Sequence, residues 1–295
     1  MMIRRFIGNL YFLTFLNGFL LASLFYFKME ADYEKELFQA IHADIKSKIN
    51  SNESQDSVAV KIMHACHGLL VNRGSVFVGK DFDGFKSNLL EPTSFDLMTA
   101  RGACGSFSLV LASILQGYNY EVRIAQMKSG DRDAAHNLVE AKTHHGWIVL
   151  DPLFDLYFKT PSQKLASFDD VKNNWSFYKT QLPPGYDMNY RYDQVRYTNW
   201  TKIPVILPAI KTILDFSLGK KEADNISLRT YFLRKYNVCF GFSLVIFIFI
   251  FTLTMIKLLR TKVFPKKNIP MTFSNFLKYL RPRIFEKGLR KQSQA

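Results

Sequence analysis

Two long apolar runs without a single charge constrain this chain before any motif does. Phe6 to Phe27 (FIGNLYFLTFLNGFLLASLFYF) spans 22 residues, and Val238 to Ile256 (VCFGFSLVIFIFIFTLTMI) spans 19. A helix needs about 20 apolar residues to cross the hydrocarbon core of a bilayer, and only a helix satisfies its own backbone polar groups there. Both runs meet that length. The first has the basic start of a signal peptide in Arg4 and Arg5. Its apolar stretch exceeds the ~7–15 residues of a cleaved leader, however, and no small-residue cleavage site follows, so it is read as an uncleaved anchor. The second run is followed at once by a basic tail, which sets it apart from a buried core helix.

The charge is placed to match. The formal net charge is +14, but Lys257 to Ala295 carry eleven Lys/Arg and one acid, Glu286, and Arg4 and Arg5 add two more positive charges. The middle of the chain is left near neutrality. Basicity confined to membrane flanks is the pattern of the positive-inside rule and speaks against a nucleic-acid partner, because that charge abuts a span. Both termini are therefore expected in the cytoplasm, with the segment between the spans on the outer face. Arg229, Arg234 and Lys235 run against this on the outer side of the second span, but the tail carries the greater charge.

The expected organisation is an N-terminal transmembrane anchor over 1–28, a catalytic domain over 29–165, an extension over 166–237 that serves as a lid or juxtamembrane segment, a transmembrane helix over 238–256 and a basic cytoplasmic tail over 257–295. Apolar positions at Leu37, Ile41 and Ile45 have helical spacing, and Val58 to Leu70 reads as a second helix. Asn72 to Thr93, punctuated by Gly74, Gly79, Gly84 and Pro92, reads as loop. Cys104 opens an apolar run that ends at Gly117, the pattern of a buried helix with Cys104 in its first turn. Strands are predicted over Tyr120 to Met127, His136 to Ala141 and Trp147 to Asp151, with His144, His145 and Gly146 as the last hairpin connection. The fold class is α+β. Lys159 to Trp200 is polar, aromatic and aperiodic, with a turn at Pro183-Pro184-Gly185. Ile203 to Phe216 has the look of a short amphipathic helix. Phe273, Phe276, Leu277 and Leu280 share a helical face in the tail, which suits either an interfacial helix or a solvated basic tail.

Acyl transfer by cysteine requires a thiolate, a base and a group that orients the base. Cys104 lies at a predicted helix start, where unpaired N–H groups favour an anion and its own N–H is placed to stabilise an oxyanion. His136 begins one predicted strand and Asp151 ends the next, so a hairpin brings their side chains together.

The segments GACGSFSLVLASILQGYNYEVRIAQ, AAHNLVEA and GWIVLDPLFDLYF resemble the transglutaminase-like superfamily over about 60 of the 295 residues. In that family a Gly-x-Cys at a helix N-terminus precedes a His-bearing strand and a Trp-containing strand that ends in Asp-Pro. The resemblance implies a papain-like, cysteine-protease-like fold with the Cys helix packed on an antiparallel sheet. It also implies Cys104 as nucleophile, His136 as base and Asp151 as orienter, with Trp147 and Pro152 at matching places. Leu138 departs from the family's aromatic two residues after the His. No residue completing the oxyanion hole is placed, and nothing resembles the calcium sites or extra domains of animal transglutaminases. The implied activity is that of a membrane-anchored amidase, peptidase or transamidase acting on peptide or protein amides at the membrane surface. No cofactor and no metal is expected. A second reading keeps the fold as a catalytically idle binding or scaffold protein in envelope or polysaccharide assembly.

Blander readings stand beside these. Cys104 is otherwise a small core hydrophobe, His136 a strand-edge residue and Asp151 a turn acid. Asp155 is the alternative orienter. His64 and His67 share a helical face that suits a metal, with a structural role preferred. Tyr186, Tyr190, Tyr192 and Tyr197 are expected in packing. An oxidising compartment would allow Cys66 to pair with Cys104 and silence it. Cys239 lies within the second apolar run and is expected to be inert.

Overall fold

A computed structural model describes residues 9–263. They form two compact units, one of Phe27–Cys239 and one of residues 9–26 with 240–263. The tail helix expected around Phe273 to Leu280 lies outside the described residues.

Two helices are long and apolar enough to cross a membrane, α1 (Leu10–Ser47) and α10 (Lys235–Val263). Only 17% and 11% of their most apolar stretches are buried, unlike the core helix of a soluble domain. Within the smaller unit, Asn17 Nδ2 donates to Thr254 Oγ1 at 2.8 Å, so two polar side chains in apolar helices find each other.

The larger unit mixes helices with one antiparallel sheet. After α1 come α2 (Gln55–Phe77), α3 (Thr93–Thr99) and α4 (Cys104–Gly117). Strands β1 (Glu121–Ser129), β2 (Arg132–Thr143), β3 (Gly146–Asp151) and β4 (Leu156–Tyr157) follow as a meander. Helices α5 (Phe168–Asn173) and α6 (Trp175–Tyr178) precede β5 (Tyr190–Arg196), and α7 (Ile206–Leu218), α8 (Lys220–Asp224) and α9 (Leu228–Tyr231) lead to α10. The strand order is β4-β3-β2-β1-β5.

Burial explains this layering. Strand side chains alternate between faces, and here both faces are covered. Val122, Ile124, Val139, Ala141, Ile148 and Leu150 face a core shared with Ile62, Cys66, Leu70 of α2 and Phe107, Leu111, Ile114 of α4. Ala125, Met127, Leu138 and Val149 face the other way, onto Phe158, Phe168, Val171, Tyr178, Tyr186 and Tyr192. Leu138 is thus an ordinary core residue of this second layer.

Several elements differ from the sequence expectation. The helix expected to end at Leu70 continues to Phe77, because Gly74 lies against Phe107 and its packing outweighs its poor helix propensity. Thr93–Thr99 is helical, with Ala100 in the left-handed region as its cap. Most consequential is β5, in the aromatic stretch expected as an extension or lid. It pairs with β1 from Ser129↔Tyr190 to Gln126↔Arg196 across a register shift. Residues 166–237 belong to the same compact unit as 29–165.

Candidate active site

The turn into α4 sets the position of Cys104. Ala103, immediately before it, adopts φ 46° and ψ −121°, a conformation that L-residues seldom occupy and that costs on the order of 1–3 kcal/mol. A polar chain holds the turn: Gly102 N–H donates to Ser106 Oγ at 3.0 Å, and Ser106 Oγ–H donates to Asp96 Oδ1 at 2.6 Å. Burial lifts the Asp96 carboxyl to about 6, against the lowering influence of that Ser106 hydrogen bond. A Cβ on Gly102 would lie 2.8 Å from Ser106 Oγ, so the glycine of the Gly-x-Cys motif is required by a close approach.

His136 and Asp151 lie on the same face of neighbouring strands, because β2 and β3 pair with Val139 opposite Leu150. The imidazole Nε2–H donates to Asp151 Oδ2 at 2.6 Å, with each side chain only 1% exposed. The other carboxylate oxygen accepts the backbone N–H of Leu153 at 3.2 Å and of Phe154 at 3.4 Å. Asp-Pro at a strand end thereby becomes a rigid acceptor. Tyr190 stacks on the imidazole, centroids 4.7 Å apart and planes 11° apart, and Phe154 and Tyr186 close on its edges.

Cys104 is partly exposed and interacts with His136 by hydrogen bonding and charge. Desolvation is the largest influence on the thiol and raises its pKa. It is overcome by the hydrogen-bonding and charge interactions of His136 and by Asn137, so the thiol falls below its ordinary value. His136 moves the opposite way. Desolvation pulls it down, but Asp151 and Cys104 together lift it to about 9. Opposed shifts of this kind run in the direction that favours a thiolate beside an imidazolium.

No family model, curated protein or solved structure matches this chain.

The site therefore stands on its own geometry. Cys104, His136 and Asp151 are brought together, and Asp155 is not beside the imidazole: it accepts from His64 Nδ1–H at 2.7 Å. His67 donates to the Pro152 carbonyl at 2.9 Å. The two histidines of α2 thus pin the β3–β4 turn. Among the described residues no group of three or more His, Cys, Asp or Glu is placed to hold a metal. Cys66 is a buried free thiol that donates to Phe107 O at 3.8 Å, burial raising its pKa, and Cys104 is also free. His144 and His145 form the two-residue turn between Thr143 and Gly146. Tyr186 and Tyr192 share a buried hydroxyl–hydroxyl hydrogen bond of 2.6 Å. Trp147 covers Arg123 at 3.7 Å, and Arg123 pairs with buried Glu140 at 2.8 Å.

Sequence reasoning missed three members of the site. Asn137 Nδ2 donates to Cys104 Sγ at 3.3 Å. Arg229 Nη1 donates to Asn137 Oδ1 at 3.0 Å. Tyr190 caps the imidazole. Asn137 adjoins His136 in sequence and was the one with a local signal. Arg229 and Tyr190 arrive from segments 92 residues and 54 residues beyond the residues they touch.

Proposed function

We propose that this chain is a membrane-anchored cysteine acyl-transfer enzyme of the transglutaminase-like type, acting on amide or peptide bonds. The observation that carries this reading is the convergence of a pKa-lowered thiol at a helix start with an imidazole oriented by a buried carboxylate. Such a constellation is recognised by geometry and roles.

The thiolate of Cys104 attacks the carbonyl carbon of the amide, forming a C–S bond while the carbonyl π electrons move onto oxygen. Asn137 Nδ2–H and the Cys104 N–H at the start of α4 supply donors on that side of the sulfur. The tetrahedral intermediate collapses, the C–N bond breaks, and the proton on His136 passes to the departing amine. Water then attacks the thioester carbonyl and gives one proton to neutral His136, the C–S bond breaks to release the Cys104 thiolate, and the carboxylic acid product leaves and ionises in solvent. An acceptor amine resolves the thioester in the same way and gives a new amide. Asp151 keeps the ring in one tautomer throughout. The anchors α1 and α10 confine the reaction to the membrane surface, with both termini in the cytoplasm and the larger unit outside.

The test is direct. Full-length protein in detergent is incubated with glutamine- and asparagine-containing peptides, quenched in acid and examined by mass spectrometry for a thioester on Cys104. Hydroxylamine should release it as a hydroxamate. Cys104→Ala should carry no adduct, and turnover that survives Cys104→Ala unchanged overturns the assignment.

A further inference from the structure

Arg229 is a cation without a carboxylate partner among the described residues. Four arginines of the same unit have carboxylates: Arg123 has Glu140, Arg196 has Asp133, Arg101 has Glu91 and Arg191 has Asp193. Arg73, Arg132 and Arg234 share with Arg229 the lack of an ion pair among the described residues, but Arg229 is the one bonded to a residue on the Cys104 sulfur. Arg229 forms no ion pair among the described residues. Its single hydrogen bond there goes to the neutral Oδ1 of Asn137, whose Nδ2 is on the Cys104 sulfur. The guanidinium is thus one amide group away from the proposed nucleophile; burial is the largest influence on it and lowers its pKa, while part of the residue is open to solvent. Its field adds to that of Arg196, which acts on it electrostatically.

The segment that carries Arg229 is fixed. Ile124 N–H donates to Ser227 Oγ at 3.1 Å, Ser227 Oγ–H donates back to Ile124 O at 3.3 Å, and Leu228 N–H donates to Thr198 Oγ1 at 3.0 Å. Gln116 of α4 donates to Thr230 O at 3.3 Å. The guanidinium is therefore presented on two framework elements, β1 and α4. A cation on a fixed segment beside a nucleophile, with no carboxylate of its own, is opposed by burial and by Arg196 and favoured electrostatically by Cys104 alone. It is well explained by a ligand that brings the charge. A guanidinium offers paired N–H groups that match a carboxylate.

We propose that Arg229 recognises a carboxylate carried by the substrate close to the amide that Cys104 attacks, so that the preferred acyl donors are acidic peptides or amides of amino acids with a free carboxylate. This rests on the reading of Cys104 as nucleophile. Asn137 links the two functions, because Arg229 on its Oδ1 fixes the amide so that Nδ2 faces sulfur.

Two small alkylating agents separate these claims without knowledge of the substrate. Full-length protein in detergent is treated with iodoacetate, which carries a carboxylate, or iodoacetamide, which is neutral, and modification of Cys104 is followed by mass spectrometry across pH. The iodoacetate/iodoacetamide rate ratio should fall about fivefold in Arg229→Gln, the size expected of one exposed charge pair. The iodoacetamide rate falls with the loss of the Arg229–Asn137 contact and serves as the internal reference, so carboxylate recognition is read from the ratio alone. Arg229→Lys should retain part of the preference, and added propionate should slow iodoacetate selectively in wild type. An unchanged ratio in Arg229→Gln overturns the inference and leaves the nucleophile assignment intact. So does an equal loss of both rates, which would make Arg229 a partner of Asn137 and the thiolate alone. Failure of both reagents on wild-type Cys104 removes the nucleophile, and this inference with it.

Discussion

The substitution Asp151→Asn isolates the energetics of the buried pair. Asparagine keeps the volume, and its Oδ1 can still accept from Leu153 and Phe154, but the negative charge facing His136 is gone. In the wild type the imidazole is lifted from 6.5 to about 9, Asp151 and Cys104 overcoming a desolvation that acts in the opposite sense. At 1.36 kcal/mol per pKa unit, the full lift corresponds to a ceiling of about 3 kcal/mol. A group whose folded pKa is raised stabilises the fold fully below pH 6.5. That contribution disappears as pH rises through about 9, where the folded imidazole also becomes neutral. For a domain of this size, about 3 kcal/mol corresponds to roughly 6–12 °C in Tm. The assay is thermal unfolding of the full-length protein in detergent between pH 6 and 9.5, comparing wild type with Asp151→Asn. The wild-type advantage should be largest near pH 6.5 and should shrink by a large part of that ceiling by pH 9.5. Titrating groups remote from His136 and Cys104 are common to both proteins and cancel in the difference. A difference that is constant with pH, or that grows toward pH 9.5, refutes the reasoning.

Three further outcomes follow from the same coordinates. In His136→Ala the thiol loses its main lowering influence while desolvation remains, so the pH midpoint of iodoacetamide alkylation at Cys104 should rise. A thiol at its ordinary value is only about 3% thiolate at pH 7, so the rate at pH 7 should fall with the rise in midpoint, and an unchanged midpoint counts against the pair. In Gly117→Ala the new Cβ would meet His42 at 1.7 Å, displacing a ring that donates to Ile114 O at 3.1 Å. Overpacking of this kind costs about 1–3 kcal/mol, seen as a lower Tm that His42→Ala should partly restore in the double variant. In Arg123→Met, Glu140 keeps only the Tyr197 hydroxyl at 2.6 Å. A loss of about 3–5 kcal/mol is expected for an uncompensated buried charge, and Arg123→Met with Glu140→Gln together should lose less.

The sequence by itself determined the local and periodic features. Uncharged runs of spanning length, a helix opening at Cys104 and closing at Gly117, and three strands, one of them ending at Asp151, were legible because each depends on spacing within a few residues; His136, expected to begin its strand, lies inside one that starts at Arg132. The pairing of His136 with Asp151 was legible too, since a short hairpin leaves neighbouring strand ends little choice of partner. Length and composition likewise separated the apolar helices from the core.

Tertiary structure decided what depended on distant segments. Tyr190 lies in a stretch with no periodicity, and became a strand residue only because β1 offered an edge to pair with; its stacking on His136 follows from that register. Arg229 looked like a charge beside a membrane span. It entered the site because Ser227 and Thr230 bind β1 and α4, a contact between residues roughly a hundred positions apart in the chain. Asn137 adjoined the histidine all along, but a strand alternates its side chains between two faces. Only the placement of α4 against one face directed Asn137 to sulfur, while its neighbour served the carboxylate on the other.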